Sequence, residues 1–312
     1  MSLNSSTADI GRLPWSQFDS LVHADIASIS AHLDQCNAEI RVFSERQLRE
    51  AKFAELVARM YPLGDVGAAN LASEIVVWLF LVDDYLDDES ANPDNVLSAV
   101  EWVVSRPATR PGEPMLDWLW RWCHRMVGHS SESWWASYSK AIVELTRLLC
   151  DEHKSRVSEH RPNLNEYLSR RRCTFGWGII LPMIDIVLGE ELPAWLLSDY
   201  DHSMMLDAAG DIAAAANDLI SFRKELAAGE FCNMVMIVHR DDHVSLDVAV
   251  QRTLDWMDSR HKTFISAKES LLSSGRDAVE RRVRCVEALV RGTIDWSLAA
   301  ARYSATGGKA PW

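Results

Sequence analysis

Asp83-Asp84-Tyr85-Leu86-Asp87-Asp88-Glu89 sets five carboxylates directly behind eight apolar residues, Ile75 to Val82. If the apolar run is helical, four residues turn through about 400°, so Asp83 and Asp87 share one face and Asp84 and Asp88 the neighbouring row. Like charges at that spacing repel each other, and acids at a helix C-terminus oppose the macrodipole. Negative charge therefore stands where it costs most. A hard divalent cation, which takes oxygen ligands, would relieve it. On its own the pattern fits either a cation site or a solvated helix end.

A second oxygen row follows an alanine-rich stretch. Asn217, Ser221 and Glu225, within Asn217-Asp218-Leu219-Ile220-Ser221-Phe222-Arg223-Lys224-Glu225, recur every fourth residue. An amide, a hydroxyl and a carboxylate in one row can share a magnesium ion with water and a phosphate. Taken alone, the row also fits an ordinary exposed helix face. A third group is basic: Arg170, Arg171 and Arg172 stand before Cys173-Thr174-Phe175-Gly176. Arginine suits bidentate phosphate recognition, and Gly176 and Gly178 interrupt the helix where backbone groups become free. Arg302-Tyr303, near the C-terminus, says nothing by itself.

These residues need long helices to position them. Helical periodicity runs almost throughout, and no alternating strand pattern or Asn-Gly or Asp-Gly hairpin interrupts it. The pattern predicts helices over 15–35, 44–60, 67–88, 93–105, 113–127, 131–153, 164–174, 179–188, 193–227, 245–273 and 277–306. No connecting segment has the length or polarity of a domain linker. The fold expected is all-α: one domain over 1–312 with a central cavity, and flexible ends at 1–14 and 305–312. The runs Ile75–Val82 and Ala213–Ala216 lack a polar face, which marks both helices as central.

Composition narrows the partners. Lys and Arg total 32 against 45 Asp and Glu, a net charge of −13, so neither nucleic acid nor an anionic membrane is an expected partner. The six cysteines have no zinc-type spacing and read as buried free thiols. No basic, apolar leader opens the chain, and the Ile75–Val82 run is far short of the ~20 residues of a membrane span. A cytoplasmic protein without a membrane span is expected. Thirteen tryptophans are many for 312 residues and point to large packed helices or to a pocket that needs aromatic faces.

Together, Asp83 to Asp88, Asn217 to Glu225, the Arg171-x-x-Thr174-x-Gly176 pattern and Arg302-Tyr303 resemble the microbial class I terpene synthases in both content and order. The resemblance runs roughly from Phe53 to Ser304. It implies a helical fold that ionises an allylic prenyl diphosphate with three Mg2+ ions per active site and cyclises the carbocation. Asp83 would be the main ligand of two ions, with Asp84 and Asp87 ligating or supporting. Asn217, Ser221 and Glu225 would hold the third. Arg171 would sense the diphosphate, either neighbouring arginine being an alternative, with Thr174 as linker and the backbone of Phe175 or Gly176 as effector. Lys224, Arg302 and Tyr303 would donate hydrogen bonds to the diphosphate. Trp78, Phe80, Tyr85, Trp177, Phe222 and Trp296 lie beside the motifs and are candidate liners, since aromatic faces stabilise a cation without attacking it.

Farnesyl diphosphate is the favoured substrate. Geranylgeranyl diphosphate or a bicyclic C20 diphosphate is the alternative, and a homodimer is the assembly considered. A chain-elongating prenyltransferase would normally carry a second Asp-rich motif in place of Asn217, Ser221 and Glu225. A non-catalytic helical binder would not need the full ligand set. His239 and His243 could imitate a zinc pair, but their polar setting reads as a solvated turn.

Overall fold

Apolar spacing does build helices along most of the chain. The computed structural model describes residues 17–88 and 90–300, and these contain fifteen α-helices and no strand. In chain order they are α1 (Ile26–Ile40), α2 (Glu45–Ala51), α3 (Phe53–Met60), α4 (Val66–Leu86), α5 (Pro93–Val104), α6 (Pro114–Arg125), α7 (Glu132–Val157), α8 (Leu164–Thr174), α9 (Trp177–Ile180), α10 (Met183–Leu188), α11 (Ala194–Leu197), α12 (Tyr200–Ala227), α13 (Met234–Asp241), α14 (Leu246–Leu272) and α15 (Asp277–Ala299). The all-α expectation holds. Arg302 and Tyr303 lie outside the described residues.

Helix α4 is the apolar helix singled out above. Asp65 caps its start, accepting from the amides of Gly67 and Ala68 at 2.7 and 3.1 Å. By length and composition α4 could cross a membrane, but 67% of its most apolar window is buried inside the protein, the property of a core helix. Two tryptophans of α6 pin its first half: the indole N–H groups of Trp122 and Trp118 donate to the carbonyls of Leu71 and Glu74. Trp118 and Trp122 thus pack against α4 and fix its position, while Trp120 donates to the Pro107 carbonyl.

Helix α12 is the second central element and packs along α14 and α15. Two close approaches explain its neighbours. A Cβ on Gly210 would lie 2.7 Å from the Trp177 ring, and one on Gly292 of α15 would lie 2.5 Å from the Arg59 backbone of α3. Both glycines allow contacts that any side chain would block. All six cysteines are free, and four of them are buried.

Several expected boundaries move. The helix expected from residue 15 begins at Ile26. Before it, the His23 amide bonds to the Ala58 carbonyl and Phe18 is buried 5.2 Å from the Phe264 ring, so tertiary contacts outweigh local helical preference. The 44–60 segment breaks at Lys52, which adopts φ 53°, and the Trp296 indole takes the Lys52 carbonyl at 3.1 Å. The 179–188 segment is two short helices interrupted before Pro182, and 193–227 restarts at Tyr200 under an Asp199 cap. The polar setting of His239 hides helix α13, whose Val235 and Ile237 are buried; the His239 Nδ1 bonds to the Val244 carbonyl.

Candidate active site

The C-terminal end of α4 carries the acidic motif. Ligand oxygens of Asp83, Asp84 and Asp87 lie within 4.8 Å of one another. Helix α7 answers part of this charge. Arg156 Nη1 is 3.0 Å from Asp87 Oδ1, and Arg156 Nη2 and His153 Nδ1 both bond to the Leu86 carbonyl. A cation at a helix C-terminus offsets the macrodipole, so the helix end is stabilised from a neighbour. Asp87 is therefore committed to a guanidinium, while Asp83 faces a cavity.

Glu152, one turn before Arg156 on α7, is a further acid of this region. Burial, with the nearby Asp83 charge, pushes its carboxyl up to about 7, although Arg171 and the Thr174 hydroxyl pull the other way.

Helices α8 and α12 meet in a buried polar knot. Capping of α8 by Asn163 and Glu166 starts the helix that presents Arg171. Arg171 Nε and Nη2 reach Asp218 Oδ1 at 3.0 and 2.7 Å, and Nη2 also reaches Asn217 Oδ1 at 2.9 Å. The Tyr167 hydroxyl and the Met234 amide donate to Asp218 Oδ2 at 2.6 and 3.0 Å. Asp218 is almost wholly buried, so its charge depends on these donors. Burial works against a charged Arg171 guanidinium, but Asp218 and the nearby acids outweigh it and hold its pKa above the ordinary arginine value. Farther along α12, burial next to Asp218 pushes Glu225 up to about 7, opposed by hydrogen bonds from Ser221 and Asn233.

Asp83, Arg171 and Asn217 converge on one cavity with Phe80, Thr174, Phe175, Gly176 and Trp296. Its atom-free space, open mouth included, is about 780 Å³, of which about 140 Å³ admits the centre of a water-sized sphere. Leu56, Met60, Val76, Leu79, Leu145, Leu149 and Ile180 add apolar walls, and Thr293 and Ser297 of α15 complete the lining. Phe80 packs on Trp296 at 5.6 Å between ring centroids. At the break between α8 and α9, Gly176 has φ +87° and would bring a Cβ to 3.0 Å from Leu79. Only glycine fits both the left-handed backbone and this gap.

The arginine cluster separates. Arg171 reaches the cavity, Arg172 turns to Asp207 and Asp211, and Arg170 is exposed. Not every expected liner faces the cavity. Val76, Leu79, Phe80 and Asp83 form the cavity face of α4, so Trp78 points the opposite way and Tyr85 stands 40% exposed. Trp177 donates its indole N–H to the Leu206 carbonyl, and Phe222 is buried on another side of α12 from Asn217. Asp84, Asp87, Ser221, Lys224 and Glu225 are not among the cavity walls. Sequence reading passed over Glu152, Arg156, Tyr167, Asp218 and Asn233, although Asp218 directly follows a singled-out asparagine.

All the oxygen donors on α4 and α12 are hard ligands, the kind that suits a magnesium ion. Comparison with known proteins points to a metal-binding domain. Residues 74–263 match the family described as Terpene synthase family 2, C-terminal metal binding. Pentalenene synthase of Streptomyces exfoliatus is 27% identical over 97% of this chain and 90% of its own length. The 4-epi-cubebol synthase of Streptosporangium roseum, described as farnesyl diphosphate cyclizing, is 24% identical over 82% of this chain and 79% of its own. The linalool/nerolidol synthase of Streptomyces clavuligerus has the same fold, with a TM-score of 0.80 at 21% identity over 90% of this chain and 98% of that one. The family match spans more than half of the chain and takes in Asp83, Arg171 and Asn217, with α3 and α15 outside it: this protein belongs to terpene synthase family 2 and is a microbial class I terpene cyclase.

Proposed function

We propose that the chain is a Mg2+-dependent cyclase of farnesyl diphosphate. One observation carries the reading: Asp83, Arg171 and Asn217 meet at a cavity whose other walls are mainly apolar and aromatic. Asp83, Asp84 and Asp87 on one side, and Asn217, Ser221 and Glu225 on the other, would hold three Mg2+ ions. When bound, these ions would supply Lewis-acid stabilisation of the departing diphosphate.

Arg171, which lines the same cavity, would donate hydrogen bonds to that leaving group, with Lys224, Arg302 and Tyr303 as further donors under this reading. Thr174 as linker and the backbone of Phe175 or Gly176 as effector would follow Arg171 along the wall of the same cavity. The apolar walls exclude the water that would quench a carbocation. Phe80, Phe175 and Trp296 offer π-faces that stabilise positive charge without a nucleophilic atom. A water-borne diphosphate substrate accords with a cytoplasmic enzyme. The farnesyl assignment draws on relatives such as the 4-epi-cubebol synthase, whose name gives that substrate.

The experiment is incubation with C10, C15 and C20 prenyl diphosphates plus Mg2+, measuring diphosphate release and analysing the extract by gas chromatography–mass spectrometry. A cyclic C15 product from farnesyl diphosphate is the expected result. Preference for a C20 substrate would overturn the substrate assignment and keep the cyclase. Elongation on addition of isopentenyl diphosphate would overturn cyclisation itself.

A further inference from the structure

Asn233 begins α13, immediately after the loop that leaves α12, and is fully buried. Its side-chain oxygen accepts from the Val235 amide at 2.9 Å, which caps α13. Its amide nitrogen points back at α12. Nδ2 donates to the Asp218 carbonyl at 2.9 Å and to Glu225 Oε2 at 2.9 Å, and lies 3.5 Å from Ser221 Oγ. Both amide hydrogens therefore serve the helix that carries Asn217, Ser221 and Glu225.

We propose that Asn233 is a positioning residue of the second metal triad, fixing the Glu225 carboxylate toward a divalent cation; the inference rests on the magnesium reading above. An asparagine is chemically suited to this. A neutral amide orients one carboxylate oxygen yet leaves the full negative charge, and the other oxygen, to a cation. A lysine or arginine in its place would neutralise Glu225 and compete with the metal. Holding Asp218 through its carbonyl, the same amide links the triad to the residue that grips Arg171. Groups that hydrogen-bond metal ligands typically change metal affinity by about 10–100-fold when removed.

Two substitutions separate this role from helix capping, because Ser and Asp are both good N-caps. Asn233→Ser keeps a capping oxygen and loses the reach to Glu225. Asn233→Asp keeps the cap and sets a like charge against Glu225. The readout is calorimetric titration of Mg2+ into protein with saturating inorganic diphosphate, beside the melting temperature of the metal-free protein. Wild type should bind Mg2+ in this assay; if it does not, the magnesium reading fails, and this inference with it. Given wild-type binding, Asn233→Ser should fold and weaken Mg2+ binding by about 10-fold or more, and Asn233→Asp further. Combined with Glu225→Gln, Asn233→Ser should add little to the loss that Glu225→Gln causes alone. Unchanged Mg2+ affinity in both single variants, or full additivity with Glu225→Gln, would overturn the role. So would failure of both variants to fold, since Asn233 would then serve the fold rather than the triad.

Discussion

Arg171 Nη2 lies 2.9 Å from Oδ1 of Asn217, while the same guanidinium holds Asp218 through Nε and Nη2. The proposed diphosphate sensor thus rests on a proposed metal ligand. A cation on the Asn217 oxygen would stand beside the Arg171 guanidinium and compete with it for that oxygen, and a diphosphate is the anion that would draw Arg171 away. Under the proposed roles, metal and substrate sites would be coupled through one hydrogen bond.

That coupling predicts different outcomes for two substitutions. Arg171→Lys keeps the charge and loses the fork that spans Asp218 and Asn217. It should fold, with kcat/KM for farnesyl diphosphate reduced about 100-fold or more, a transition-state loss near 3 kcal/mol. Arg171→Ala leaves the Asp218 carboxylate buried without its cation, which costs about 3–5 kcal/mol. Chemical denaturation of the metal-free proteins distinguishes the two.

The acidic helix end should matter more for chemistry than for folding. Asp83→Asn removes a repulsive charge at a helix C-terminus, so its melting temperature should equal or slightly exceed that of wild type, while turnover falls severely. Asp87→Asn should be the milder lesion for turnover, because Arg156 already occupies Asp87 Oδ1. It should instead lower the melting temperature by releasing Arg156. Near-native activity in both variants would contradict the metal assignment.

Glu152 gives a pH dependence with a definite sign. Its carboxyl stands at about 7 in the folded protein against 4.5 for the unperturbed group, so the folded chain takes up the proton more readily. The penalty of ionising it is full above about pH 7 and vanishes below the unfolded value, so its contribution to stability rises as pH falls from 8 to 5. Glu152→Gln should remove that contribution. His202, lowered by burial to about 4, acts in the opposite sense below its ordinary 6.5, so the wild-type-minus-variant difference is the quantity to follow. Thermal melts of metal-free protein between pH 5 and 8 provide it.

Gly176 should tolerate no side chain. Gly176→Ala meets both a left-handed backbone and Leu79 Cδ1 at 3.0 Å, for a cost of about 1–2 kcal/mol or more. Because Gly176 and Leu79 both line the cavity, the product distribution should shift along with stability. Comparison with Gly178→Ala, where nothing lies within 4 Å of the added atom, isolates the effect.

Different parts of this site were legible to different degrees. Asp83 and Asp87 could be found because a long apolar run fixed the helix phase and their spacing put them on one face. Arg171 was visible as a cluster, but choosing it over Arg172 required the tertiary partners: Asp218 for one, Asp207 and Asp211 for the other. Trp78 and Phe222 were drawn in by closeness in sequence, although helix phase turns both away from the cavity. Glu152 and Asn233 carry no local pattern that separates them from surface residues; burial gives them meaning, and burial comes from packing. The break at Lys52 was equally hidden, since a left-handed lysine has none of the signals of a glycine or asparagine stop.

One cavity joins Asp83, Arg171 and Asn217, and the role proposed for it is metal-dependent ionisation of the substrate. The direct measurement is diphosphate release from farnesyl diphosphate, with the organic product followed in parallel, at graded Mg2+ and again with excess chelator. Release should require Mg2+, stop with chelator and accompany a cyclic C15 product, and Asp83→Asn and Arg171→Lys should each suppress both signals together. Undiminished release in the chelated sample, or release that survives both substitutions, would contradict the account.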